Sequence, residues 1–242
     1  MTIRTQRSGS IATVTIDRPD AGNKLDVATV GALTEQLTTL QAGEPPADVV
    51  ILAGAGEDFS VGREPADHGT PTPRKLIDEF SGLQRMNEVV QRYPGVIIAK
   101  VQGRARGAAL SLAGRCDLFI AAEDARLSFP EVRHGIPPTI VLSHYRYVLS
   151  RPVLFDLVLT GREISGTEGV AAGLVTRAVP RDDLEATVDE LANQIAGYGS
   201  RTLRTIKHFM ATTDGMDPRD APGYGINVIT NEMIDRNLTN GT

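Results

Sequence analysis

The stretch from Ile97 to Glu131, IIAKVQGRARGAALSLAGRCDLFIAAEDARLSFPE, constrains this chain more than any other part of it. The apolar run Val96 to Val101 leads into it, turns through Gly103 and Gly107, and continues as a small-residue segment, Ala108 to Gly114, that can only pack closely. The pattern predicts strand, tight turn, helix. A helix starting at Gly107 leaves its first N–H groups without intrahelical acceptors and turns the positive end of its dipole toward the turn. Such an end suits an oxygen that carries or develops negative charge. Bulky side chains at Gly107, Ala108 or Ala109 would keep that oxygen from the backbone, and the sequence places none there. A second apolar run follows, after which Pro130-Glu131 sets a carboxylate on a turn.

The remaining segments alternate in a way that points to a layered α/β fold. Ala12, Val14 and Ile16 alternate with polar residues as in a half-buried strand. Asp26 is a candidate N-cap for an amphipathic helix over 27–41, with Val30, Leu33, Leu37 and Leu40 on one face. Val49 to Ala53 reads as a strand buried on both faces. The Gly54-x-Gly56 that follows hints at dinucleotide binding, but Phe59 stands where a third glycine is needed and no helix begins there, so a plain glycine turn is the better reading. Residues 64–73 form a Pro- and Gly-rich surface loop. A helix from Arg74 to Arg92 carries Leu76, Phe80, Leu83 and Val90 on one face. Beyond Glu131, helices are expected over 139–149 and 152–160, a cap at Ser165 or Thr167, a strand over 174–179, and helical pattern from Asp182 onward. The division is thus a core over 1–180 and a helical region over 181–242 suited to an oligomer contact.

Composition excludes several classes. With 242 residues and a net charge of −5 whose basic residues are scattered, the chain has no electrostatic footprint for nucleic acid. One cysteine, Cys116, rules out a disulfide framework and suits a reducing compartment. The four histidines have no metal-ligand spacing, so no metal is expected. No apolar run is long enough to cross a bilayer and MTIRTQRSGS lacks a signal-peptide core, so a cytoplasmic, non-membrane protein is expected.

In order and in register, many short pieces of the chain resemble the crotonase superfamily, the enoyl-CoA hydratase/isomerase family. They are Arg18-Pro19 with Asn23 and Leu25; Gly54 with Phe59-Ser60-Val61-Gly62; Val101-Gln102-Gly103 through Gly107; Cys116-Asp117, Ala121, Ala125 and Pro130-Glu131; Gly135 with Pro138; Leu159-Thr160-Gly161 with Ile164-Ser165; and Gly173-Leu174-Val175. The resemblance implies a crotonase-like spiral of repeated strand-strand-helix units with a C-terminal helical region that packs homotrimers or hexamers. It also implies an acyl-CoA thioester as substrate, with coenzyme A as its carrier and no other cofactor. The thioester carbonyl would lie between the backbone N–H groups of Val61 and Ala108, with Gly62, Gly107 and Pro138 around the substrate.

Departures from the family pattern shape the expected reaction. Hydratases of the family hold water with two glutamates, which fall here on Ser111 and Glu131. Serine without a partner base is no general base at neutral pH. The resemblance therefore favours isomerisation, in which Glu131 takes a proton from C2 and returns it at C4. A hydratase using Ser111 and Glu131 together, an acyl-CoA decarboxylase or thioester hydrolase, and a degenerate CoA-binding protein are the alternatives. Thr139 stands where dienoyl-CoA isomerases carry an aspartate, and Ile140-Val141-Leu142 replaces the usual glycine pair. Without the resemblance, Glu131 reads as a solvated turn carboxylate and Ser111 as a packing residue. Arg63 reads as a surface arginine or a contact for a CoA phosphate, His134 as a solvated neighbour of Glu131, His68 as a second acid/base in the variable loop, and His144 and His208 as helix-surface residues.

Overall fold

A computed structural model describes residues 2–43, 45–65 and 72–240. His68 lies outside them. Along the chain the elements are β1 (Ile3–Ser8), β2 (Ile11–Ile16), α1 (Val27–Ala42), β3 (Val49–Gly54), α2 (Pro73–Gln91), β4 (Val96–Val101), β5 (Arg104–Arg106), α3 (Ala108–Ala113), β6 (Leu118–Ala122), β7 (Arg126–Ser128), α4 (Thr139–Tyr145), α5 (Arg151–Thr160), β8 (Ile164–Ser165), α6 (Gly166–Ala171), β9 (Arg177–Val179), α7 (Leu184–Ala196), α8 (Ser200–Thr213) and α9 (Ala221–Asn240). Six strands form one sheet in the order β1-β2-β3-β4-β6-β9, antiparallel only between β1 and β2; β5, β7 and β8 form a second sheet.

The two sheets are linked by repetition. β4 of the large sheet continues into β5 of the small one and then α3; β6 continues into β7 and then a short 3-10 turn over Pro130–His134. Ser60, which follows β3, bridges to Ala105 of β5 and so gives the β3 unit its own place beside the small sheet. The chain thus winds as a spiral of strand-strand-helix units, as the resemblance implies.

Local chemistry accounts for most boundaries. The Asp26 carboxylate accepts from Thr29 N–H at 2.7 Å and starts α1, whose Val30, Leu33, Leu37 and Leu40 are buried as expected. Ser165 and Glu168 make a reciprocal capping box at the head of α6. All six residues of β3 are buried, the mark of a strand covered on both faces. On α2 the expected face holds for Leu83 and Val90, which are buried with Met86, and for Phe80, which packs against the core, while Leu76 is exposed. Glu79 is buried there in an ion pair with Arg63.

Other differences follow from shortness and exposure. β1 buries only Ile3 and so carries no apolar alternation. β5, β7 and β8 have two or three residues each, too few to show a period. The strand expected over 174–179 is confined to Arg177–Val179, and the helix expected over 139–149 ends at Tyr145. The helical pattern after Asp182 divides in two. α7 packs on β2, β3, β4 and β6 with Leu184, Val188 and Ala192 buried. α8 and α9 instead leave Ile206, Met210, Ile226, Ile229, Met233 and Ile234 exposed. Among the described residues no helix is long and apolar enough to cross a membrane.

Candidate active site

Two segments run side by side at the head of α3 and share one plan. Ser60 N–H donates to Arg104 O at 3.0 Å and Arg106 N–H to Ser60 O at 3.2 Å, a parallel pairing that sets Ser60 opposite Ala105. Two residues beyond that pair stand Gly62, at φ 99°, and Gly107, at φ 53°. Both backbone values disfavour any L side chain. A Cβ on Gly62 would also lie 2.7 Å from the Arg106 carbonyl oxygen, so the close approach of the two segments requires glycine there. Three residues beyond the pair come Arg63 and Ala108.

Those two positions carry uncommitted N–H groups. Ala108 is the first residue of α3, and the first hydrogen bond into the helix is made by Ser111 N–H to Gly107 O, at 2.9 Å. The Arg63 N–H has no acceptor among the described residues, although its neighbours pair on either side: Leu25 N–H with Gly62 O and Glu64 N–H with Leu25 O. Val61 is different. Its N–H donates to Gly22 O at 2.9 Å, so it is not available to a ligand. The expected pair of Val61 and Ala108 therefore does not hold for Val61, and the parallel register levels residue 63, not 61, with residue 108. Sequence spacing could not supply that register. The Arg63 side chain turns away to Glu79 and stacks on Phe80, 5.2 Å from its ring centre, and is thus held by the protein rather than offered to a phosphate.

Two linked contacts stiffen this pair of segments from behind. The Asp58 carboxylate accepts from Arg104 Nε and Nη2 at 2.9 and 2.6 Å, and Arg104 holds its carboxyl below the usual carboxylate value. The buried Asn23 amide donates to Ala55 O and Asp58 O at 2.8 and 2.7 Å.

Glu131 stands over this end of α3. Its Oε1 lies 3.0 Å from where a Cβ on Gly107 would be, so Gly107 is also the residue that lets the carboxylate approach. Its Oε2 is buried without a hydrogen-bond partner. Burial pushes its carboxyl above the ordinary carboxylate value, against smaller opposite effects from its own backbone N–H and from His134. An under-solvated carboxylate thus lies beside the Gly107 turn that opens α3. It is no ordinary turn residue.

Ser111 lies one turn into α3, on the face it shares with Gly107. It is buried, at 2 % exposure. Its Oγ accepts from Arg115 Nη1, which also donates to Ser111 O at 2.9 Å, while Arg115 Nη2 donates to Ile140 O at 3.3 Å. Sequence reasoning missed Arg115, which lies just past the Gly114 cap of α3, four residues after Ser111. Pro138 precedes α4, and Leu142 N–H donates to its carbonyl at 2.9 Å.

Among the described residues the other titratable groups form no second centre. His144 is not a free surface residue: burial and the Arg115 charge push its pKa down to about 4, and its Nδ1 lies 3.2 Å from Gln91 Nε2. Burial pushes the Cys116 thiol up, away from thiolate chemistry. Among the described residues no group of His, Cys, Asp and Glu could hold a metal ion. A cleft of about 340 Å³ between α1 and α2 is lined by Arg63 and Arg85 against Asp26, Glu35, Glu64, Asp78 and Glu79, an acidic balance that does not suit a polyphosphate.

Comparison with known proteins gives this site a context. Residues 6–221 match the family model for enoyl-CoA hydratase/isomerase. A carnitinyl-CoA dehydratase from Salmonella arizonae is 30% identical, covering 92% of this chain and 85% of that protein. The crystal structure of an enoyl-CoA hydratase from Bacillus anthracis superposes with a TM-score of 0.86 at 27% identity, over 95% of this chain and 90% of that one. An enoyl-CoA hydratase from Mycobacterium smegmatis shares the fold with a TM-score of 0.92 at 24% identity, over 97% and 92% of the two chains.

Proposed function

This chain belongs to the enoyl-CoA hydratase/isomerase family, and on that premise we propose that Glu131 moves the proton on the carbon next to an acyl-CoA's thioester carbonyl. The carbonyl oxygen accepts from the N–H groups of Ala108 and Arg63. Glu131 takes the C2 proton, the electrons of that C–H bond pass into the carbonyl, and the enolate oxygen is held by the same two donors. No cofactor is needed beyond the coenzyme A that carries the acyl group. The carrying observation is the Glu131 carboxylate itself, half desolvated against Gly107 with one oxygen unpartnered.

The fate of the enolate separates two reactions. If Glu131 works alone and returns its proton to C4 of a 3-enoyl-CoA, the product is the conjugated 2-enoyl-CoA, and the enzyme is an isomerase. That Ser111 stands in place of a second carboxylate supports this reading. Addition or loss of water at C3 is the second reading, favoured by the names of the relatives and by a Ser111 hydroxyl whose proton has no acceptor among the described residues. A proton NMR time course with 3-hexenoyl-CoA in D2O distinguishes them. Conjugation with deuterium at C2 or C4 supports isomerisation, a new 3-hydroxyacyl signal supports hydration, and an unchanged spectrum with that substrate and its 2-enoyl isomer overturns both.

The exposed apolar residues of α8 and α9 support a homotrimer or hexamer, since a soluble surface seldom carries that many large apolar side chains together. Light scattering of the purified protein tests this: a monomer mass removes it.

A further inference from the structure

Arg115 is buried at 6 % exposure and makes no ion pair with a carboxylate among the described residues. Its guanidinium is spent on three oxygens, Ser111 O, Ser111 Oγ and Ile140 O, while its Nε has no partner. A buried cation without a counter-ion is costly and asks for an explanation. Part of the answer is structural, because Ser111 O is one of the carbonyls that the end of α3 leaves unpaired. The bond to Ser111 Oγ has no such explanation.

That bond has a directional consequence. A hydroxyl that accepts from a guanidinium has its proton free for another acceptor, and Ser111 Oγ donates to no residue among those described. Ser111 shares a face with Gly107, against which Glu131 rests, and follows the Ala108 donor by three residues, about 5–6 Å between side-chain origins on a helix. With a thioester oxygen on Ala108, that spacing would bring the third acyl carbon, two bonds beyond the carbonyl carbon, within reach of Ser111.

We infer that Arg115 is a positioning residue that fixes the Ser111 hydroxyl as a hydrogen-bond donor to an oxygen on the third carbon of the acyl chain. The inference rests on the acyl-CoA reading and selects, within it, substrates that carry or gain oxygen at C3. The cation behind the hydroxyl favours an oxygen that bears negative charge, so the effect is largest on an ionised ligand.

Acetoacetyl-CoA is a suitable probe, since it has oxygen at C3 and its enolate is visible in the ultraviolet. Butyryl-CoA, which lacks that oxygen, is the control. The full-length protein and its Arg115→Met, Arg115→Lys, Ser111→Ala and doubly substituted Ser111→Ala/Arg115→Met variants are titrated with both ligands, and the bound enolate is followed against pH. Loss of a charge-assisted donor weakens acetoacetyl-CoA binding by about tenfold in either single variant and raises the pH midpoint for the bound enolate by about one unit. The double variant loses no more than either single one, because both remove the same interaction. Arg115→Lys recovers part of the loss, and butyryl-CoA binding changes less than about twofold. Additive losses, equal losses for both ligands, or unchanged enolate binding in Ser111→Ala overturn the inference while leaving the acyl-CoA reading in place. Should Arg115→Met not fold, Ser111→Ala and Arg115→Lys decide the matter by the same criteria. If the unaltered protein binds neither ligand, the inference and the acyl-CoA reading fall together.

Discussion

Glu131 and Ser111 stand on either side of Gly107, and the protein treats them in opposite ways. The carboxyl is half desolvated, with its pKa pushed up by burial, and left with an unpartnered oxygen. The hydroxyl is neutral, fully buried and gripped by a cation. A group that must accept a proton gains from being under-solvated, because its conjugate acid is then easier to form. A group that must only donate a hydrogen bond gains from being held in one orientation. The contrast separates proton transfer from placement, and each of the following measurements either breaks it or sharpens it.

The largest effect is expected at the carboxylate. Glu131→Gln keeps shape but removes the base, and turnover falls by about 10²–10⁴-fold with acyl-CoA affinity nearly unchanged. A variant retaining full kcat would end the contrast, since Glu131 would then be no more than packing. Next comes the donor both groups face. Proline suits the first position of a helix but has no N–H, so Ala108→Pro keeps α3 and removes one oxyanion contact. Turnover drops by about 10²–10³-fold, while the melting temperature stays within a few degrees; a large fall in melting temperature instead would assign Ala108 to structure.

Smaller effects come from pH. The base must be ionised, so kcat/KM rises with unit slope through the raised Glu131 pKa and levels off above it, with its midpoint above the ordinary carboxylate value. A midpoint at or below that value breaks the link between burial and function. Stability runs the other way. A carboxyl whose folded-state pKa exceeds its unfolded one favours folding below the unfolded value, and that advantage is lost as pH rises through the folded value. Glu131→Gln is therefore slightly more stable than the parent at neutral pH, by a few degrees in melting temperature, and the gap closes in acid once Glu131 is protonated. Equal gaps at both pH values would mean that burial of the charge is not the cause.

Much of this was legible in the residues, and the misses have a common physical origin. The strand and helix around Gly107, the α1 face, the Asp26 cap and the place of Glu131 follow from period, glycine position and apolar runs, which are local properties of sequence. Pairing is not local. Val61 looked equivalent to Ala108 in the sequence, yet its N–H is taken by Gly22, and only the bridge between Ser60 and Ala105 reveals that Arg63 is level with Ala108. The expected α2 face holds at Phe80, Leu83 and Val90 and misses only at Leu76, while Glu79, which the apolar pattern does not mark, is buried in an ion pair with an arginine sixteen residues earlier. Arg115 is not marked out by the sequence, because a charged residue in the turn after a short apolar helix reads as exposed, whereas it is buried.

The pairing of residues 60–63 with 105–108 has one more consequence, for how this site can change. Both donors are backbone atoms, so most side-chain substitutions at Arg63 or Ala108 leave the N–H groups themselves in place. A single insertion or deletion in either segment would displace one donor by about 3.3 Å, one step along a strand, which carries it beyond hydrogen-bond reach of an oxygen held by the other. Apart from the two glycines, Gly62 and Gly107, the two segments thus constrain peptide length more strictly than residue identity.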